Sequence, residues 1–202
     1  MQSLDKKALY FISGHGRGWA FSANDLLAKF SRQQADNVLS YLLKDGKIRR
    51  VCHGIYDYPK YSEFLKQELS PDIDQVARAF ARKFNWRIEV LGDTALNILG
   101  LSTQVVAKYV YLSDGPHRSY DILGMSLEFK KSSLKNIGFK YKESSLVVQA
   151  LKTLGKERID DKVIESIRNR IEPKMYTKIL KDTQSATVWI YETIKKICRE
   201  VS

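Results

Sequence analysis

From Ser3, a residue suited to capping a helix, the apolar residues Leu4, Ala8, Leu9, Phe11 and Ile12 recur at roughly helical spacing until Gly14. The glycine-rich GHGRGW cannot continue that helix, and Trp19-Ala20-Phe21 reads as a minimal strand. Ser22 then caps a second helix over 23–30, with Leu26, Leu27 and Phe30 on one face, and Ser31 caps a third. In that third helix, SRQQADNVLSYLLKDG, the residues Ala35, Val38, Leu39 and Leu42 form the buried stripe, Leu43 lies at its edge, and Gly46 is the stop. Two short strands, 47–51 and 54–58, turn about Cys52-His53-Gly54. Helix, strand, helix, turn, helix and β-hairpin is the order of a winged helix-turn-helix, which the pattern assigns to residues 1–61.

Residues 61–70 read as a connecting segment of mixed polarity, and Ser70-Pro71-Asp72 signals a helix start. A second unit over 71–202 is expected from there. Ile73, Val76, Ala77, Phe80 and Phe84 form a helical stripe, 86–91 alternates as a strand, and Asp93 caps a short helix ending at Gly100. Strands follow at 107–113, 118–123 and 126–130, the first two joined by an Asp114-Gly115 hairpin turn, so the pattern predicts a small antiparallel sheet. From Ser144 the spacing is helical again: Leu146, Val147, Ala150, Leu151 and Leu154 close at Gly155, and further helices are expected near 160–170, 173–182 and 186–200. The fold class is therefore α+β, an N-terminal winged helix-turn-helix followed by a sheet with several helices.

Charge sharpens this picture. The chain has 202 residues and a formal net charge of +11, which favours a polyanionic partner, although a lysine-rich surface produces the same figure without one. Residues 1–61 hold ten Lys or Arg against five Asp or Glu. The outer face of the third helix carries Arg32, Gln33, Asn37 and Ser40, side-chain types whose donors and acceptors match base edges in the major groove. Such a face also suits a merely solvated helix. Arg17, Lys47, Arg49, Arg50 and Lys60 flank it in the glycine loop and the hairpin, where cations contact phosphate. Double-stranded DNA is the partner this arrangement implies.

Other chemistry is weakly represented. Cys52 and Cys198 lack metal-ligand or redox spacing, and His15, His53 and His117 share no ligand pattern, so neither a metal nor a cofactor is expected. GHGRG precedes a strand instead of opening a helix after one and is no phosphate loop. Asp114 with Glu128-Phe129-Lys130 has the acid, then acid-x-Lys spacing of Mg²⁺-dependent nucleases, but an alternating strand in a lysine-rich chain produces Glu-x-Lys by chance. No apolar run approaches the roughly 18 residues of a membrane span, and the first residues lack a signal-peptide core, so a cytoplasmic protein is expected.

The segment WAFSANDLLAKFSRQQADNVLSYLLKDGKIRRVCHGIYDYPKY, followed by LGDTALNILGLSTQVVAKYVYLSDG and LEFKKS, resembles the AbiEi antitoxins of bacterial type IV (AbiE) toxin–antitoxin systems. The winged-helix part of that likeness is generic, whereas GIYDYPKY joined to NILGLSTQ and YLSDG is a specific combination. The resemblance implies a repressor of its own promoter whose second domain acts against a nucleotidyltransferase-like toxin, directly or functionally, and it leaves oligomerisation on DNA open. Where the family pattern has Gln-Val-Pro-Ala, this chain has Gln104-Val105-Val106-Ala107, which frees φ and restores an N–H at that turn. An orphan transcriptional regulator, a protein-interaction module and a Mg²⁺-dependent nuclease are the alternatives.

Overall fold

The structure, a computed structural model, describes residues 4–102, 108–132 and 138–199. Ser3 and the stretch Gln104-Val105-Val106-Ala107 lie outside the described residues. The chain is α+β and divides into two compact units, one of residues up to Trp86 together with Tyr120–Gly124, the other of Arg87–Ser119 together with the chain from Met125 onward.

The first unit begins with helix α1 (Leu4–Ser13) and strand β1 (Ala20–Phe21). The second helix expected over 23–30 is shorter than its pattern implied, a 3-10 turn at Ala23–Leu26 followed by an irregular turn. Its eight positions lie between Ser22 and Ser31, both extended, which leaves too little chain to repay helix nucleation. Helix α2 (Arg32–Lys44) is as expected at both ends. Ser31 Oγ accepts the Gln34 N–H while the Ser31 N–H donates to the Gln34 side chain, a reciprocal cap. At the other end Gly46, at φ +65°, lets the Lys47 and Gly46 N–H groups return to the Leu42 and Leu43 carbonyls.

Strands β2 (Arg49–Cys52) and β3 (Ile55–Asp57) form the hairpin, and β3 is the centre of an antiparallel sheet of order β1-β3-β2. Ala8, Ile12, Phe21, Leu26, Phe30, Ala35, Val38, Leu39, Leu42 and Ile48 make one apolar core beneath α2. Residues 61–70, read above as a plain connector, fold into a two-stranded hairpin of β4 (Tyr61–Ser62) and β5 (Gln67–Glu68), turning through Lys66 at φ +51°.

Helix α3 (Ile73–Phe84) starts at the Ser70-Pro71-Asp72 signal with Asp72 as its cap and belongs to the first unit, so the boundary falls at Trp86 and not between 61 and 71. Its stripe is the reason: Val76, Ala77 and Phe80 are fully buried, Phe80 stacks 4.0 Å from Tyr120, and Arg82 reaches Asp25 and the Ala20 carbonyl.

The second unit holds β6 (Ile88–Val90), helix α4 (Gly92–Ile98), β7 (Lys108–Ser113) and β9 (Met125–Lys131); with β8 (Arg118–Ile122), whose residues from Tyr120 belong to the first unit, the strands follow the order β6-β7-β9-β8. The sheet is mixed and not purely antiparallel: β6 pairs antiparallel with β7, but β7 and β9 run parallel, Tyr111 opposite Phe129. Asp114-Gly115 therefore does not close a β7–β8 hairpin. Asp114 instead accepts the Arg87 N–H at 2.8 Å, and the chain leaves β7 without pairing to the next strand. Helices α5 (Lys142–Leu154), α6 (Asp161–Arg170), α7 (Tyr176–Asp182) and α8 (Val188–Ile197) complete the unit close to their expected positions. No described helix is long and apolar enough to cross a membrane.

Replacing Phe80 by Ala removes a side chain that is 1% exposed and should cost about 3–5 kcal/mol. Urea unfolding of the full chain measures this, and a loss below about 1 kcal/mol would detach α3 from the N-terminal core.

Candidate nucleic-acid interface

The stripe Ala35, Val38, Leu39 and Leu42 pins α2 to the core, so the opposite face is presented outward. Gln33, Asn37 and Ser40 are all exposed there, as expected from the sequence. The spacing of Gln33, Asn37, Tyr41 and Lys44 puts them on one continuous strip. Tyr41 is 53% exposed and was not anticipated. Its position four residues after Asn37, off the apolar stripe, is the signal that would have found it.

Arg32 stands beside this strip and is partly committed. Its Nε donates to Asp36 at 3.2 Å and its Nη1 to the Asn24 side chain at 3.0 Å, while 63% of the side chain stays exposed. The pair with Asp36 neutralises the acid on that flank of the face. A screened, exposed pair of this kind holds geometry more than it stabilises.

The flanking cations separate into two groups. Arg49 forms a two-pronged ion pair with Asp57, 3.0 and 2.6 Å, and Asp57 is only 2% exposed. Glu68 lies 3.9 Å from the same guanidinium. Expected to contact phosphate, Arg49 is instead consumed in neutralising a buried carboxylate between paired residues of β2 and β3. Arg17 is similarly held, donating to the Pro59 carbonyl at 2.9 Å with its guanidinium 4.7 Å above the Tyr58 ring. Lys60 lies across Gly18, whose φ of +89° and lack of a Cβ admit it: a Cβ there would sit 2.5 Å from Lys60 Cε.

Arg50 and Lys47 remain more available. Arg50 is exposed at the hairpin and donates to His53 Nδ1 at 3.1 Å, and Lys47 is 3.9 Å from the exposed Asp45. The candidate set left exposed is therefore Gln33, Asn37, Ser40, Tyr41 and Lys44 on α2, with Arg32 at the start of that helix, Lys47 just beyond its end and Arg50 on the hairpin.

The acidic and thiol groups do different work. Glu128, buried on β9, is ion-paired with Lys108, and His117 lies 3.6 Å away. The hydrogen bond from Lys108 is the main influence holding this carboxyl below its ordinary range, against the opposing effect of burial and with help from Lys108, Lys130 and His117 charge. Asp114 is occupied with the Arg87 N–H, so the two acids of the nuclease-like spacing serve different partners. Among the described residues no three His, Cys, Asp or Glu converge as metal ligands would. Both cysteines are free thiols, and burial pushes Cys52 up and Cys198 up to about 11.

Comparison with known proteins adds a family. A family model described as a family of unknown function, DUF6088, matches residues 8–179. No curated protein matches. The crystal structure of the RV2827C protein from Mycobacterium tuberculosis is similar at a TM-score of 0.43 and 10% identity, over 98% of this chain and 77% of that one.

Because Glu128 is more acidic in the folded chain than when free, protons bind preferentially to the unfolded state. Its contribution to stability is complete above the ordinary carboxyl value of about 4.3 and is lost as pH falls through the lower folded value. The stability gap between the native chain and Glu128→Gln should therefore shrink between about pH 6 and pH 3. A gap independent of pH, measured by denaturant unfolding across that range, would contradict the pairing with Lys108.

Proposed function

We propose that this chain, which belongs to the DUF6088 family, is a winged-helix transcriptional regulator that reads DNA with α2. The observation that carries the reading is the outward face of α2: a rigid helix, capped at both ends, presenting Gln33, Asn37 and Ser40 beside Tyr41 and Lys44. Uncharged amides add no charge to phosphate binding but read base edges well, since Asn and Gln pair bidentately with adenine. Arg50 and Lys47 supply the phosphate contacts that set register, and Arg32, drawn toward Asn24 and Asp36, approaches the groove from the start of the helix. The order α1, β1, 3-10 turn, α2 and the β2–β3 hairpin is the winged-helix order with its middle helix reduced to a turn.

The sequence resemblance to the AbiEi antitoxins supplies the setting we propose for this activity. The chain represses its own toxin–antitoxin promoter through the first unit and opposes a nucleotidyltransferase-like toxin through the second. No step of either role uses a metal or an organic cofactor.

Fluorescence anisotropy with duplexes from the region upstream of its own gene tests the first role. Gln33→Ala or Asn37→Ala should each cost about 1–3 kcal/mol on the cognate duplex and much less on a scrambled one. Arg50→Ala should weaken both duplexes alike and flatten the salt slope by about one unit. Equal losses on the two duplexes for Gln33 and Asn37 would remove base reading from α2.

A growth experiment tests the second role. The double substitution Gln33→Ala with Asn37→Ala, supplied from a foreign promoter at matched abundance, should lose repression yet still rescue cells from the cognate toxin. Failure to rescue, with the variant folded, would place the α2 face in the neutralising contact itself.

A further inference from the structure

Within the second unit, a cavity of about 410 Å³ is lined by Lys140, Tyr141, Thr177, Lys178, Lys181 and Asp182. Lys140 and Tyr141 immediately precede α5, and the other four belong to α7. Asp182 joins the two walls: its carboxylate accepts the N–H groups of Lys140 and Tyr141, each at 3.0 Å. Burial works to raise the Asp182 carboxyl, but those two N–H groups, the Ser144 hydroxyl and the Lys140 charge together hold it below the ordinary range. Asp182 thus ties the start of α5 to α7 through two backbone N–H groups. Its single charge couples to Lys140 and leaves the three lysines around it in net positive excess.

Three lysines line this space, and among the described residues none of the three has a carboxylate partner within ion-pair distance. Lys140 and Lys178 both bring Nζ near the Tyr141 ring, 5.6 and 5.7 Å from its centre. Gathering like charges around one aromatic ring is unfavourable unless an anion enters between them. An inorganic anion would satisfy the charge and leave most of the volume empty, whereas the ring supplies a surface on which a planar group stacks.

We propose that this cavity is a binding site for a nucleotide-class phosphate ester, its phosphate held by Lys140, Lys178 and Lys181 and its base laid on Tyr141. The site lies in the second unit and does not rest on the DNA-reading role of α2. Such a ligand gives the second unit an input of its own, one that reports a soluble phosphate ester.

Calorimetric titration of the full chain with AMP and with CMP at low salt tests the proposal, with adenosine, inorganic phosphate and a duplex competitor as further arms. At least one nucleotide should bind once per chain, weaken as salt is raised, and lose at least tenfold in affinity in Lys178→Glu and in Lys181→Glu. Tyr141→Leu should lose nucleotide affinity while keeping its weaker affinity for inorganic phosphate, and adenosine should not bind. Lys178→Met, which keeps the stem and removes the charge, guards against a folding defect in the charge reversals. Absence of saturable binding by both nucleotides, or binding indifferent to all three lysine substitutions, overturns the proposal. So does a result in which the duplex displaces the nucleotide and Lys178→Glu weakens duplex binding equally, because the phosphates would then belong to the DNA backbone.

Discussion

A single carboxylate, Asp25, holds the turn from which α2 springs. The 3-10 turn Ala23–Leu26 is too short to be stable by itself, and Asp25 accepts the Ser22 N–H at 2.8 Å and the Ser22 hydroxyl at 3.1 Å. Arg82 of α3 then donates to Asp25 from Nε at 2.5 Å and, through Nη2, to the Ala20 carbonyl at 2.7 Å. One guanidinium therefore bolts β1 and the turn before α2 to the same helix. Asn24 adds a second tie by donating to the Lys83 carbonyl and accepting from Arg32. The angle at which α2 leaves this turn, and so the direction in which Gln33 and Asn37 face, depends on contacts made by residues some 57 positions away in the chain.

That distance explains which parts were legible in the sequence. Helices α1, α2 and α3 and the β2–β3 hairpin follow from spacing, caps and turn residues, all local signals carried by Ser31, Gly46, Asp72 and Gly54. The failures share a nonlocal cause. The 23–30 segment has an apolar face but closes as a turn, because the Arg82 bond to Asp25 rewards the compact form and two serine caps crowd it. The order β7-β9-β8 is set by which strand wins the central place beside Tyr111 and Phe129, a competition that the alternation within each strand does not decide. The placement of α3 with the first unit likewise depends on Phe80 meeting Tyr120.

The candidate interface was half legible for a related reason. Uncharged polar residues on an amphipathic helix have only one place to point once the apolar stripe is buried, so Gln33, Asn37 and Ser40 followed from α2 itself. Cations have a choice of partner, and the sequence does not display it. Arg49 and Arg50 are adjacent and chemically identical, yet alternation along β2 sends Arg49 toward the buried Asp57 and leaves Arg50 exposed. Arg17 was diverted in the same way by Pro59 and Tyr58. A count of positive charge in residues 1–61 therefore overstates the number available to phosphate, and the uncharged strip through Asn37 and Tyr41 carries more of the meaning.

The most direct measurement is an amide chemical-shift map of the full chain titrated with a duplex from upstream of its own gene. Binding through α2 predicts that the largest shifts fall on residues 32–44 and on the β2–β3 turn around Arg50 and His53, with the amides of α5 to α8 nearly silent. Shifts concentrated in the second unit, with Gln33, Asn37 and Tyr41 unmoved at saturating DNA, would contradict a winged helix that reads DNA.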